Sequence, residues 1–133
     1  MLFIAVGVAG MIGAVLRYFL GIAVHGWWMH SFPLGTLLIN YIGSFVLGWF
    51  TTWVNRAERV PAWFRVGFGT GLIGSFTTFS TFSIETVTLI HQQLWVDTLL
   101  YMTLSLFGGL LMAWSGFQAA NLQMYKRIRR FSS

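Results

Sequence analysis

The residues best suited to chemistry in this chain fall in one seven-residue stretch, Thr77 to Ser83, reading TTFSTFS. It holds five hydroxyl side chains in seven positions, interleaved with Phe79 and Phe82, and Glu85 follows two residues on. Apolar sequence precedes the stretch and resumes at Ile84. Ser and Thr compete for backbone hydrogen bonds, so a dense cluster of them weakens a helix locally. In a membrane, non-helical backbone survives only where it is buried in protein or lines a wet cavity. Broken membrane helices of this kind can present backbone groups to ions.

Further polar side chains interrupt the apolar segments: Arg17, Asn40, Tyr101 and Ser105. At such depth polar groups face a bundle interior or an aqueous path. Each alone reads equally as glue between helices; together with TTFSTFS they point to one shared path. Phe79 and Phe82, three apart, share a helix face. Either they face lipid, or their electropositive ring edges support a small anion that has lost water, with the Asn40 amide and the Ser80 and Thr81 hydroxyls as hydrogen-bond donors. Tyr101 and Ser105 are four apart and share a face, although Ser105 can also bond back to its own helix. Arg17 either snorkels to the interface or attracts anions at a vestibule. Glu85 can pair with Arg17, bond the hydroxyls at the break, or be protonated. His25, His30 and His91 lack metal-ligand spacing.

These residues sit in a chain built for a bilayer. Of 133 residues, 56% are hydrophobic and 8% charged, with a mean hydropathy of +0.72, whereas a soluble domain carries about a quarter charged residues. The length suits one domain. Seven Trp and 13 Phe suit aromatic belts. There is no cysteine, and the three acids Glu58, Glu85 and Asp97 are too few for a carboxylate metal site or a paired-carboxylate hydrolase, so no enzyme is expected. The net charge of +5 comes mostly from short flanks of apolar segments, which is membrane orientation rather than nucleic-acid binding.

The expected architecture is an all-α integral membrane protein with one four-span domain. The spans run over about 2–24, 33–54, 62–91 and 98–121, with turns at Gln92 to Asp97 and before Pro33. The third, 30 residues long, would measure about 45 Å as a straight helix against a core of about 30 Å. A break at 77–83, near its middle, resolves the excess. Gly67, Gly71 and Gly74 ahead of the break allow close approach of another backbone. Arg17 and the absence of a basic N-terminal region argue against a cleavable signal peptide.

TTFSTFS followed by Glu85 resembles the signature of the Fluc/CrcB family of fluoride channels. Gly10 to Tyr18 (GMIGAVLRY), Gly35 to Asn40 (GTLLIN) and Gly43 to Gly48 (GSFVLG) agree in order and spacing, and the likeness runs from Val6 to about Gly116. The resemblance implies a passive channel exporting cytoplasmic fluoride through a cell membrane, working as an antiparallel dimer with two pores. It implies pore roles for Phe79, Phe82 and Asn40, a polar track through Tyr101 and Ser105, and a vestibule role for Arg17. Gly109 replaces what is often a hydroxyl residue at the far end of that track. It also implies a structural sodium ion at the dimer centre, bound by the carbonyls of Gly74 and Thr77 from both subunits. The rival reading is a small proton-coupled exporter of drugs or organic cations using Glu85, which leaves TTFSTFS unexplained. A non-transporting assembly subunit would leave the buried polar groups without purpose.

Four spans place both termini on one side, together with Arg56, Arg59, Arg65, Lys126, Arg127, Arg129 and Arg130, while the other side has no Lys or Arg in its loops. The positive-inside rule makes that side cytoplasmic. Many homodimers of the family insert in both orientations, and others pair two related chains of fixed orientation. Seven basic residues against none argue for one orientation here, and the partner in the implied antiparallel dimer is this chain itself or a paralogous chain. A cysteine introduced near Ser133 is therefore expected to be shielded from an impermeant thiol reagent in intact cells. Labelling of about half the molecules would instead establish dual topology.

Overall fold

The computed structural model describes residues 1–28, 30–57 and 60–131, and of 126–131 the backbone alone. Arg59 and the side chains of Lys126, Arg127, Arg129 and Arg130, part of the charge asymmetry, lie outside what is described. Among the described residues the fold is all-helical. Helix α1, Leu2–His25, ends where the Gly26 N–H donates to the Ile22 carbonyl at 2.9 Å. Helix α2, Leu34–Arg56, starts directly after Pro33 and runs two residues beyond the expected end at 54. The Val54 carbonyl in its last turn accepts from Arg65 Nη2 at 3.2 Å.

Helix α3 covers residues 62–76, with a π-helical stretch at Gly67–Ile73 between α-helical ends. Thr77 and Thr78 are extended, and α4 follows as Phe79–His91. The non-helical segment is thus two residues long, not the whole of 77–83. The later hydroxyls are absorbed by the helix itself: Ser83, Thr86 and Thr88 each donate to the carbonyl four residues back, at 2.9, 2.7 and 2.9 Å.

The turn before the last helix is also tighter than expected, covering residues 92–94. Gln93 takes a left-handed conformation (φ 60°) and Leu94 N–H donates to Leu89 O at 3.0 Å. Helix α5 covers residues 95–131, with a π-helical stretch at Leu104–Gly108. It begins before 98 because Asp97, in its first turn, complements the helix dipole. It outlasts 121 because Gln118, Ala119, Ala120 and Gln123, and the Lys and Arg beyond them, are good helix formers. Among the described residues three helical stretches are long and apolar enough to cross a membrane: Leu2–His25, Leu34–Arg56 and Trp95–Tyr125. The third expected span is instead divided between α3 and α4.

α1 packs along α3, and α2 along α5. Both contacts are backbone-close. A Cβ on Gly13 would collide with the Leu72 carbonyl, and one on Gly116 with the Phe45 carbonyl and the Trp49 nitrogen. Two apolar clusters flank the polar middle. Phe50, Val54 and Ile73 form one, with Phe68 packed on Phe50 at a ring-centroid distance of 4.4 Å; Leu37, Leu89 and Tyr101 form the other. Gly116→Val should therefore destabilise the protein by about 1–3 kcal/mol, seen as a lower unfolding midpoint in detergent. An unchanged midpoint would mean that α2 and α5 are not in backbone contact there.

Candidate ion-permeation site

The break between α3 and α4 is held by one side chain. Asn40, on α2, accepts from the Thr78 N–H at Oδ1 (2.9 Å) and donates from Nδ2 to the Thr78 carbonyl (3.0 Å). An amide side chain thus pairs with both backbone polar groups of one residue. Thr78 in turn caps α4: its buried Oγ1 accepts from the Thr81 N–H at 3.1 Å and lies 2.9 Å from Thr81 Oγ1 and 3.2 Å from Ser80 Oγ. The N–H groups of Phe79 and Ser80, first in α4, fall outside intrahelical pairing.

These bonds redirect two donors. In a continuous helix the Gly74 carbonyl would accept from Thr78 N–H and the Thr77 carbonyl from Thr81 N–H. Those N–H groups go instead to Asn40 and to the Thr78 hydroxyl. The Gly74 and Thr77 carbonyls are therefore left without their helical partners. Two neutral oxygens freed at an unwound point suit a hard monovalent cation, so the residues present fit the sodium ion that the resemblance implies. No His, Cys, Asp or Glu cluster of metal-binding size occurs among the described residues.

Towards the loop that joins α1 and α2, Glu85 accepts from Thr36 Oγ1 at 2.8 Å and from Tyr101 Oη at 2.7 Å, one hydroxyl on each carboxylate oxygen. It pairs with neither Arg17 nor the hydroxyls at the break. Phe79 and Phe82 have ring centroids 5.7 Å apart, Phe82 and Tyr101 5.1 Å, and Phe32 meets the Tyr101 ring edge-on at 5.7 Å. Tyr101 is fully buried, whereas Phe79 is 79% exposed. Arg17, Thr36, Thr78, Thr81 and Glu85 all line one cleft of about 840 Å³, with His25 and His30 also in its wall.

The structure thus gathers Asn40, Ser80 and Thr81 around Thr78 and, separately, sets Phe79, Phe82 and Tyr101 in a row of rings, with Arg17 in the cleft that Thr78 and Thr81 also line. Ser105 stands apart, within the π-helical stretch of α5; its carbonyl accepts from the Gly109 N–H, while its hydroxyl does not bond back to the helix. The neighbouring Leu104 carbonyl is taken by Tyr41 Oη at 2.6 Å. Sequence reasoning missed Thr36 and the capping role of Thr78. Thr36 precedes Asn40 by four residues and so shares its helix face, which was the available signal.

Residues 4–117 match the family model described as CrcB-like protein, Camphor Resistance (CrcB). The chain belongs to the CrcB-like family. TTFSTFS, Asn40 and Tyr101 all lie within the matched span. Among its relatives is a Bacillus cereus protein named fluoride-specific ion channel FluC 1. It is 46% identical over 128 residues, covering 96% of this chain and 93% of the relative. A Geobacillus kaustophilus relative, named fluoride-specific ion channel FluC 2, is 49% identical over 120 residues, covering 90% and 93% of the two chains. One from Oceanobacillus iheyensis, named fluoride-specific ion channel FluC, is 46% identical over 114 residues and covers 84% of each chain. With three helices of membrane-crossing length and composition, this CrcB-like chain is a multi-pass membrane protein.

The geometry ranks two substitutions. Asn40→Leu strands a buried N–H and C=O on Thr78, each costing about 1–3 kcal/mol. Thr78→Val removes the cap, at about 1 kcal/mol, and the hydroxyl contacts to Ser80 and Thr81, but leaves the Thr78 backbone paired with Asn40. Unfolding measured in detergent should therefore show the larger loss for Asn40→Leu; the reverse order would mean that the amide is not what holds the break.

Proposed function

We propose that this chain is the subunit of a passive fluoride-selective channel in the cell membrane, releasing cytoplasmic fluoride down its own gradient. The observation that carries the reading is the row of rings Phe79, Phe82 and Tyr101 on the same broken segment as the Ser80 and Thr81 hydroxyls gathered at Thr78, in a chain whose relatives are named fluoride-specific channels. In this reading α3 and α4 together make the third of four crossings, broken at Thr77 and Thr78.

Fluoride gives up tightly held water only where donors replace it. The Asn40 amide carries two N–H groups; one is committed to Thr78, leaving the other to donate. The hydroxyls of Ser80 and Thr81 are further donors, and the edges of Phe79 and Phe82 supply positive potential. The Tyr101 hydroxyl is committed to Glu85, so the Tyr101 ring rather than its hydroxyl faces Phe82. None of these groups needs to cycle protons, which suits a channel. Arg17 in the cleft would raise the local anion concentration; Ser105 would extend the track beyond Tyr101.

Phe79 and Ser80 are exposed in the single chain, as expected of surfaces completed by a second subunit. We place them at an antiparallel dimer interface with two pores, the partner being this chain or a paralogue. Sodium at the dimer centre would bind the Gly74 and Thr77 carbonyls of both subunits and supply fixed positive charge there. With a paralogue as the partner, both termini of this chain would face the cytoplasm; with this chain as its own partner, one copy of each pair would be inverted.

Liposomes holding the protein should release fluoride without a proton gradient. Phe82→Leu keeps an apolar bulk but removes a ring edge worth on the order of 1 kcal/mol. With about 1.4 kcal/mol per tenfold in rate, flux should fall at least several-fold while the dimer still runs normally in detergent, and Phe79→Leu should act in the same direction. Normal flux in both variants would remove the aromatic row from the pore. Drug-driven proton movement abolished by Glu85→Gln would establish the exporter instead.

A further inference from the structure

A second cleft lies at the opposite end of the molecule from the Glu85 cleft. It is about 490 Å³ in volume, between the C-terminal end of α2 and the later turns of α5, and is lined by Arg56, Gln118, Asn121, Leu122, Met124 and Tyr125. We propose that it binds the headgroup of an anionic phospholipid with free headgroup hydroxyls, of the phosphatidylglycerol type.

Its level in the membrane is marked by tryptophan. Trp49 and Trp53 stack at 6.1 Å just before Arg56 on α2, and Trp49 Nε1 donates to Gln123 Oε1 on α5 at 2.9 Å. Tryptophans of this kind sit at the headgroup boundary, and the cleft begins one turn beyond Trp53. Arg56 forms no ion pair among the described residues. Of the three acids, Glu85 is held by Thr36 and Tyr101, Asp97 lies in the first turn of α5, at the other end of that helix, and Glu58 lies outside the described residues. Among the described residues no acid reaches Arg56, which leaves it open to an anion from outside. A lipid phosphate supplies it in the form arginine binds best.

Asn121 adds the second requirement. Its Oδ1 is buried and has no hydrogen-bond partner, and a buried acceptor without a donor is costly. A headgroup glycerol hydroxyl can donate to it while the phosphate meets Arg56, and Leu122 and Met124 offer apolar surface to the chains below. Lys126 and Arg129 follow Leu122 and Tyr125 at one-turn spacing, so the sequence continues basic beyond the cleft. Juxtamembrane clusters of basic residues attract anionic lipid in this way.

The test is native mass spectrometry of the purified protein after equilibration with mixed micelles of equimolar phosphatidylglycerol and phosphatidylcholine. Phosphatidylglycerol should be retained selectively. Arg56→Gln should lower its retention about fivefold, and Asn121→Leu should lower it too, with phosphatidylcholine unaffected. Arg17→Gln, which removes the same charge from the other cleft, should leave retention unchanged. Equal retention of the two lipids, or an equal loss in Arg17→Gln, would overturn the site. Displacement of the lipid by inorganic phosphate at constant ionic strength would assign the cleft to a free anion instead. An Arg56→Gln variant that keeps its lipid but loosens a dimer would assign it to a second copy.

Discussion

The structure depends on the pairing between the Asn40 amide and the backbone of Thr78. A helix that stops in the middle of a bilayer exposes peptide groups that lipid cannot satisfy. Asn40 meets the N–H and the C=O of the same residue at 2.9 and 3.0 Å. Everything polar near the break follows from that exchange. Thr78 is oriented to cap α4, the Gly74 and Thr77 carbonyls lose their helical donors, and the first N–H groups of α4 are set free. One neutral side chain on a neighbouring helix converts an unfavourable interruption into an array of donors and acceptors on a rigid frame.

Glu85 is handled by related means. A carboxylate inside a membrane protein is costly unless it is hydrogen-bonded. Thr36 and Tyr101 supply one hydroxyl to each oxygen, from α2 and α5. The carboxylate thereby ties three helices together. The same contact turns the Tyr101 ring towards Phe82 and Phe32, so an element with no aromatic character helps to align the aromatic row.

Much of this was legible in the sequence. TTFSTFS located the break and the donors around it because hydroxyl crowding competes with helical bonding, and the polar interruptions at Asn40, Tyr101 and Glu85 marked what now meets at the site. The extent of the break was not legible. Whether Ser83 or Thr86 disrupts a helix or bonds back into it depends on its rotamer and surroundings, and here both bond back. Thr36 looked like any helix-start residue until α4 brought Glu85 to it. The π-helical stretches left no composition signal, because they depend on which carbonyl each N–H reaches. Helix α5 continues past the expected span end at 121 because polarity marks where a helix leaves lipid, not where it stops being a helix.

The π-helical stretch at Leu104–Gly108 has a consequence for how this chain can vary in length. A π-helical bulge is a helix turn that closes its hydrogen bonds one residue later than an α-helical turn, and so accommodates an additional residue. Insertion or deletion elsewhere in α5 would rotate all that follows, moving Gly116 off the α2 backbone against which it lies. Within Leu104–Gly108, a single-residue deletion can be absorbed by closing the bulge, leaving the flanking helix in register. Tyr41 guards that tolerance: its hydroxyl holds the Leu104 carbonyl, and its ring lies where a Gly108 side chain would be. A length change in this segment therefore has to be accommodated by the side chain at position 41, on a helix far away in the chain.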